Sequence, residues 1–472
     1  MTGQKKQTAS GGFRLLKKKS INKKKVLFRL LLLMVAVACI VGLVINYEGE
    51  KPALDIELPL RTIGVSKPLS GTVSDRKSGL RTVWLALSQG GQDHVLLERT
   101  FPVRFYSRDD RVHEFPVDLL IEPQRLGLTD GPALLRIRIS DGSFRGWFSG
   151  NVTYVEKDLL IDTRPPEIDV LTRNHNIVPG GAALAIYRVS ETGGRTGVTV
   201  GDEFFPGHSG YFKDPQIMLA FFALTHTQGQ NTPMFIEARD AAGNSARAGF
   251  MHYIGHKEYK TDRINISDGF LNVNMPGFAV EGFTDNGNNL EKFLKINRDV
   301  RRENGRRILS PGPRTDTEKH WDGAFIRLPG SATRANFADH RSYFYNGKVV
   351  DRQYHMGIDL ASVKHAEVPA ANRGRVALID TIGIYGKTVV IDHGFGLFST
   401  YSHLSRTSVN EGDMVARGDI IGNSGITGLT GGDHLHYGMF VDHVFVDPLQ
   451  WWDPSWIENN ITSKLNGIGA ER

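Results

Sequence analysis

The feature that most restricts this chain is an apolar run from Val26 to Ile45, broken only by Arg29. Wound as a helix at about 1.5 Å per residue, a run of that length spans the roughly 30 Å hydrocarbon layer of a bilayer. Residues 26–46 are therefore expected to form a transmembrane helix, and the rest of the fold has to be built on one side of it. Arg29 lies near the start, where its side chain can reach the headgroups. A cleaved signal peptide is the competing reading, with Ala36-Val37-Ala38 as the cut and Cys39 after it as a lipidation site. The apolar run continues through Ile40, Val41, Leu43, Val44 and Ile45, past the point where a signal's short core should stop. An uncleaved anchor follows.

Charge gives this anchor a direction. Of the 57 Lys and Arg, ten fall within residues 1–29, which contain no acid, and the other 47 face 51 Asp and Glu. The bulk of the chain is thus slightly acidic, which argues against a nucleic-acid partner. With lysines before the span and Glu48 and Glu50 after it, residues 1–25 are expected to be a basic cytoplasmic tail. Everything beyond about Asn46 should lie outside the cytoplasm, as in a single-pass protein of a bacterial inner membrane with its bulk in the periplasm. Cys39, the only cysteine, sits in the span, so no disulfide can form within the chain and any metal must be held by His and carboxylates.

Past the span the pattern is mainly β. Short alternating segments are separated by Gly, Pro, Asp and Asn, and Leu80 to Leu87, Ala133 to Ile139, Val152 to Ile161 and Phe235 to Ala238 read as strands. Two β-rich modules are expected, at 50–162 and 163–255, divided by Asp162-Thr163-Arg164-Pro165-Pro166, where prolines cannot join a ladder. Ser78-Gly79-Leu80 and Asp240-Ala241-Ala242-Gly243-Asn244 resemble segments of bacterial immunoglobulin-like repeats. A linker at 256–324 should hold a helix over 288–308, capped by Asn288 or Asn289 and ended by Gly305. Leu290, Phe293, Leu294 and Ile296 fall mostly on its apolar face, with Arg298, Arg301 and Arg302 toward water. A further domain at 325–453 returns to strands, followed by a tail at 454–472.

The chemistry lies in that last domain. In His434-Leu435-His436-Tyr437-Gly438-Met439-Phe440-Val441 the strand period of two puts His434, His436 and Gly438 on one face and the apolar residues on the other. Two imidazoles on one face suit a site in which one ring binds an ion and the next handles a proton. The alternative is a half-exposed strand that carries two histidines with no such role. His355-Met356-Gly357-Ile358-Asp359 adds an imidazole and a carboxylate, brought together by a bent extended segment at Gly357. His355, Asp359 and His436 then offer zinc two nitrogens and one oxygen and leave a fourth position open for water, the mark of a catalytic rather than a structural site. Two imidazoles favour Zn2+ over magnesium or calcium.

Residues from about Phe325 to Trp452 resemble the lysostaphin-type (LytM-type) zinc peptidases of peptidoglycan. The likeness rests on HMGID, on GKTVVIDHGFGLFSTYSHLS, and on VNEGDMVARGDIIGNSGITGLTGGDHLHYGMFV, in the family's order. It implies an antiparallel β-sheet peptidase domain, with His355, Asp359 and His436 binding zinc. It also implies that His403, from the Tyr-Ser-His-Leu motif, and His434 form the catalytic pair that orients or deprotonates water and stabilises the oxyanion. Arg341 matches an arginine that precedes the first motif and would order the cleft. His393 would be structural, and His320, His340, His365 and His443 surface residues. Two segments depart from the family's pattern: 362–369, which replaces a small Gly-containing turn before Pro-Val, and Gly431-Gly432-Asp433, which stands where a Gly-Pro or similar pair often precedes HLH. Both concern substrate preference more than catalysis. The expected partners are peptidoglycan, the membrane and other envelope proteins reached through the β modules. The family also contains members without activity that activate other wall hydrolases, which is the competing function.

Overall fold

The computed structural model describes residues 1–3, 23–58, 61–103, 110–278 and 288–468, so most of the basic tail expected at 1–25 lies outside the described residues. Lys23–Asn46 is one helix, long and apolar enough to cross a membrane. Its Leu27, Leu33, Met34, Ile40 and Val44 are all exposed. A helix that leaves such side chains uncovered on every face is suited to lipid rather than to a protein core. The chain otherwise divides into two compact units, Met1–Thr163 and Arg164–Arg472, at the proline-bearing stretch read as a linker.

In the first unit two sheets enclose one apolar core. Lys67–Ser74 pairs antiparallel with Ala53–Ile56 and Glu114–Ile121. The second sheet runs in the order Thr62–Ile63, Val152–Ile161, Gly131–Asp141, Leu80–Gln89, Gln92–Thr100. Alternation fills the core from both sides, with Leu69, Val73, Val117 and Ile121 on one sheet and Val83, Leu85, Leu87, Leu135, Ile137 and Ile139 on the other.

The second unit has a single core that joins its early strands to the C-terminal sheet. Ala182–Val189 lies between Ile217–Ala223 and Ile168–Val170, and a four-stranded sheet is built from Arg195–Val200, Glu203–Pro206, Met234–Arg239 and Ser245–Ala248. Phe221 of the first of these sheets stands 6.5 Å from Trp321 and 6.1 Å from Trp451, ring to ring, and Trp321 stands 5.6 Å from Phe325. These rings are nearly fully buried, so the residues on either side of the expected boundaries at 255 and 324 share one apolar interior. The segment 256–324, read as a linker, supplies Thr261–Ile266, which pairs in parallel with His340–Tyr345. The segment 454–472, read as a tail, is helical as far as Ile468 and buries Ile457, Ile461 and Leu465.

A helix occupies Asn289–Leu309, where the sequence pattern placed one over 288–308. Asn288 caps it, its side chain accepting from the Leu290 and Glu291 amides at 3.0 and 3.3 Å. Asn289–Lys295, a wider π turn at Ile296–Val300, and Arg301–Leu309 follow without a break. Gly305 does not end it: the glycine sits inside the last segment, and Ile308, fully buried, holds the final turn against the core.

The C-terminal sheet has eight strands. Its spatial order is Ala332–Ala335, Ile358–Ala361, Leu435–Val441, Leu397–Leu404, Gly386–Asp392, Gly374–Ile382, Met414–Val415, with Val444–Val446 returning along Leu435–Val441. Every pairing is antiparallel. Leu435–Val441, for which a half-exposed strand was the alternative reading, is buried on both faces: Leu435, Tyr437, Met439, His436 and Phe440 are all 3 % exposed or less.

Two fully buried histidines, His175 and His393, make this unit sensitive to acid. Burial pushes the imidazoles of His175 and His393 down to about 4. Their unfolded forms take up a proton near pH 6.5, the folded forms only near 4, so their contribution is fully present above about pH 6.5 and is lost as pH falls from there toward 4. The expected loss is on the order of 3 kcal/mol per histidine. Denaturant midpoints of the metal-free protein without its anchor should fall steeply between pH 6.5 and 4.5; a flat midpoint would mean that these rings are already charged in the folded state.

Candidate active site

The register of two central strands brings the first two site residues together. Asp359 on Ile358–Ala361 is the direct cross-strand partner of His436 on Leu435–Val441, and its Oδ1 lies 2.9 Å from His436 Nδ1. His355 follows the end of Lys348–Tyr354 and folds back over Met356-Gly357. Its Nε2 lies 3.0 Å from Asp359 Oδ1 and 3.0 Å from His436 Nδ1. The bend requires Gly357, since a Cβ there would meet His436 Nε2 at 2.6 Å and the Tyr437 carbonyl oxygen at 2.7 Å.

His403 is aimed by a β-bulge. Pairing steps from Lys387 with Leu404 to Val389 with Tyr401, so Thr388 faces both Ser402 and His403. His403 takes a φ of 62°, in the left-handed region that non-glycine residues seldom adopt, and strain of this kind gathers at functional sites. The bulge turns the ring out of strict alternation, to 4.8 Å from the ring of His434 and 5.8 Å from that of His436. His434, just before its strand, places Nε2 3.5 Å from Asp359 Oδ1. All five residues singled out from the sequence line one cavity of about 140 Å3, room for an ion and a few waters.

Main-chain carbonyls fix which ring nitrogens face that cavity. His355 Nδ1 donates to the Asn336 carbonyl at 2.9 Å, His403 Nδ1 to Thr427 at 2.8 Å, and His434 Nδ1 to Gly432 at 2.8 Å. A carbonyl only accepts, so each of these neutral rings carries its proton on Nδ1 and keeps a lone pair on Nε2. For His355 that lone pair points at a carboxylate oxygen and at another imidazole nitrogen. Three donor atoms held so closely call for a cation. Their spacing is slightly tighter than the roughly 3.3 Å edge of a tetrahedral zinc site, so His355, Asp359 and His436 fit such an ion.

The electrostatics are uneven. Burial works against the charge of Asp359, yet His355, His434 and His436 outweigh it and hold the carboxyl well below its ordinary value. Arg341 Nη2 adds a bond to Asp359 Oδ2 at 3.1 Å. Burial first, then the neighbouring His436 and His434, pushes His403 down to about 3; burial takes His436 to about 4. His434 moves the other way, because Asp359 more than offsets its burial.

Tyr385 and Arg301 are among the residues lining the cavity that sequence reasoning did not select. Tyr385, in the turn Gly383–Tyr385, sets its ring 5.4 Å from that of His436, and no spacing rule marks it. Arg301 was placed toward water by the helical pattern; it is half-buried and faces the cleft. A polar helix face looks the same in sequence whether it meets solvent or a polar cavity. The other histidines fall mostly as expected. His393 is enclosed between the Arg373 carbonyl and Ser399 Oγ, both at 2.8 Å. His365 and His443 are exposed and His340 is half-buried, stacked on Tyr354. His320 is the exception, buried and bonded to Asp316 at 2.7 Å.

Sheet and site together define a mainly β protein with a centre of histidines and one carboxylate suited to a divalent cation. Residues 353–448 match the model of peptidase family M23, and the C-terminal part of this chain is an M23 domain. Over 95 residues it is 38% identical to the DD-carboxypeptidase/endopeptidase Mpg of Neisseria meningitidis serogroup B, covering 20% of this chain and 22% of that one. It is 39% identical over 87 residues to the peptidoglycan DD-endopeptidase ShyA of Vibrio cholerae, covering 18% and 20%. Against the stage II sporulation protein Q of Bacillus subtilis it is 35% identical over 101 residues, covering 21% and 36%. The chain thus spans between about a fifth and about a third of the length of these relatives.

The crowding at Gly357 gives a direct check of the centre. Replacing Gly357 with Ala should push His436 away from Asp359 and lower bound zinc well below one equivalent, with a clear fall in melting temperature. Full zinc occupancy in Gly357→Ala would show that the bend is not needed to assemble the ligands.

Proposed function

We propose that this protein is a membrane-anchored zinc endopeptidase that hydrolyses amides in the peptide part of bacterial peptidoglycan. The observation that carries the reading is the triangle of His355 Nε2, Asp359 Oδ1 and His436 Nδ1, with two further imidazoles facing the same cavity. His355, Asp359 and His436 hold the ion, and Arg341 keeps the second oxygen of Asp359 engaged so that Oδ1 stays aimed at it. Zinc, when bound there, supplies Lewis-acid polarisation of the scissile carbonyl and lowers the pKa of water.

The remaining residues hold and move protons. His403, kept neutral by burial and tied at Nδ1 to Thr427, offers Nε2 as acceptor and orients the attacking water. His434, whose proton affinity Asp359 raises, receives a proton and as a cation donates from Nε2 to the developing oxyanion or the leaving amine. Two imidazoles of opposed tendency divide the work.

The charge partition supports an orientation with the lysine-rich end in the cytoplasm and the sheet on the wall side of a bacterial inner membrane. The β unit before residue 163 then serves as a spacer or a docking module for envelope proteins. A wall-binding activator without activity is the competing reading, and the small volume of the cavity is what favours it.

Purified protein lacking the anchor should bind about one zinc and release muropeptides from sacculi. His436→Ala should lose both. His403→Ala and His434→Ala should keep the zinc and lose on the order of 10²- to 10⁴-fold in rate. Arg341→Ala should weaken zinc about 10- to 100-fold. Stoichiometric zinc with no release from sacculi or from isolated cross-linked muropeptides would exclude the peptidase in favour of the activator.

A further inference from the structure

Arg301 is the one cleft-lining cation of its helix that has no acid to pair with. Its neighbours are engaged: Arg298 Nε bonds Asp351 Oδ1 at 2.9 Å, and Arg302 reaches Asp299 at 3.6 Å. Among the described residues no carboxylate lies within ion-pair distance of Arg301. It is held instead by Asn297, whose side-chain oxygen accepts from Nη2 at 2.6 Å and from Nε at 3.2 Å. Asn297 is fully buried and is itself fixed through Nδ2 to Asp351 at 2.7 Å. The guanidinium is thus oriented by a rigid, buried partner, with Nη1 left for something else.

Its position says what that is. Arg301 lines the cavity of the candidate centre and also a second one of about 440 Å3, and the two share Arg301, Met356 and Tyr385 as their common wall. A peptide laid across the centre and on into the second cavity passes Arg301 where the two cavities meet. Asp359 is already neutralised by Arg341, so the charge of Arg301 is surplus and favours an anion. A guanidinium matches a carboxylate through paired donors and gains more from it than from an amide.

We propose that Arg301 is a specificity-determining residue that pairs with a free carboxylate of the peptide substrate next to the scissile amide. The substrate class is then an acidic peptide, with the corresponding amidated peptide disfavoured. This rests on the peptidase reading above and extends it, because Arg301 lies before residue 353, outside the segment that matches the family.

The test uses the full-length zinc-loaded protein and one preparation of cross-linked muropeptides, half of it with its carboxylates converted to primary amides. Wild type should favour the acidic form at least tenfold in kcat/KM. In Arg301→Gln the ratio should fall to about 1, in Arg301→Lys it should be intermediate, and Arg306→Gln, an exposed arginine on the same helix, should keep the wild-type ratio. A structural role would lower both substrates together and leave the ratio intact, which overturns the proposal, as does a wild-type ratio near 1. If wild type cleaves neither form, the peptidase reading fails on its own. The same ratio is then read from calorimetric binding of the two forms: a preference abolished in Arg301→Gln sustains the carboxylate contact, and equal binding by wild type overturns it.

Discussion

The carboxylate of Asp359, set directly across from His436 in the sheet, is the constraint on which the rest of the centre depends. A charged oxygen this well buried persists only if several partners face it, and four side chains do: His355, His434, His436 and Arg341. Register does the assembling. A slip of one residue between Ile358–Ala361 and Leu435–Val441 would turn Asp359 away from His436 and bury an unpaired charge. The apolar residues on the opposite face of Leu435–Val441 forbid that slip, since Leu435, Tyr437 and Met439 would lose their place in the core. Packing on one face thereby fixes chemistry on the other.

The same logic carries upstream. The family match begins at residue 353, but the interior that supports it reaches back to the strands after Arg164 through Phe221, Trp321, Phe325 and Trp451. Thr261–Ile266 pairs with the strand that carries Arg341, and the helix ending at Leu309 delivers Arg301. The second unit therefore behaves as one folding body, in which segments outside the matched region finish a site that the matched region starts.

What could be read from the sequence follows from what each pattern encodes. Period-two alternation located strands such as Leu80–Gln89 and Val152–Ile161, and it put His434 and His436 on one face, because side-chain direction in a strand is a local property. Gly357 was legible as a bend, since only a residue without Cβ allows so close an approach to His436. The placing of His403 came from family likeness and not from alternation, since a bulge sets its ring and bulges depend on the partner strand. The domain limits at 255, 324 and 453 did not foresee a shared interior, as burial between distant segments leaves no local periodicity. Arg301 and Gly305 were misplaced for a related reason: helical pattern separates apolar from polar faces and is silent on what the polar face meets.

The backbone carbonyls of Asn336, Thr427 and Gly432 hold a cluster of imidazoles in one arrangement. Left free, each ring would exchange its proton between two nitrogens and rotate to meet water, and the lone pairs would face the cavity only part of the time. Each carbonyl instead takes the Nδ1 proton of one ring and fixes both its tautomer and its plane. His436 has no such carbonyl partner at Nε2 and turns Nδ1 to the cavity, where the cross-strand contact with Asp359 aims it. The main chain of the connecting segments thus sets three rings and the sheet register sets the fourth. The strained φ of His403 is sustained by strand pairing, so the conformational cost of aiming this ring is met during folding.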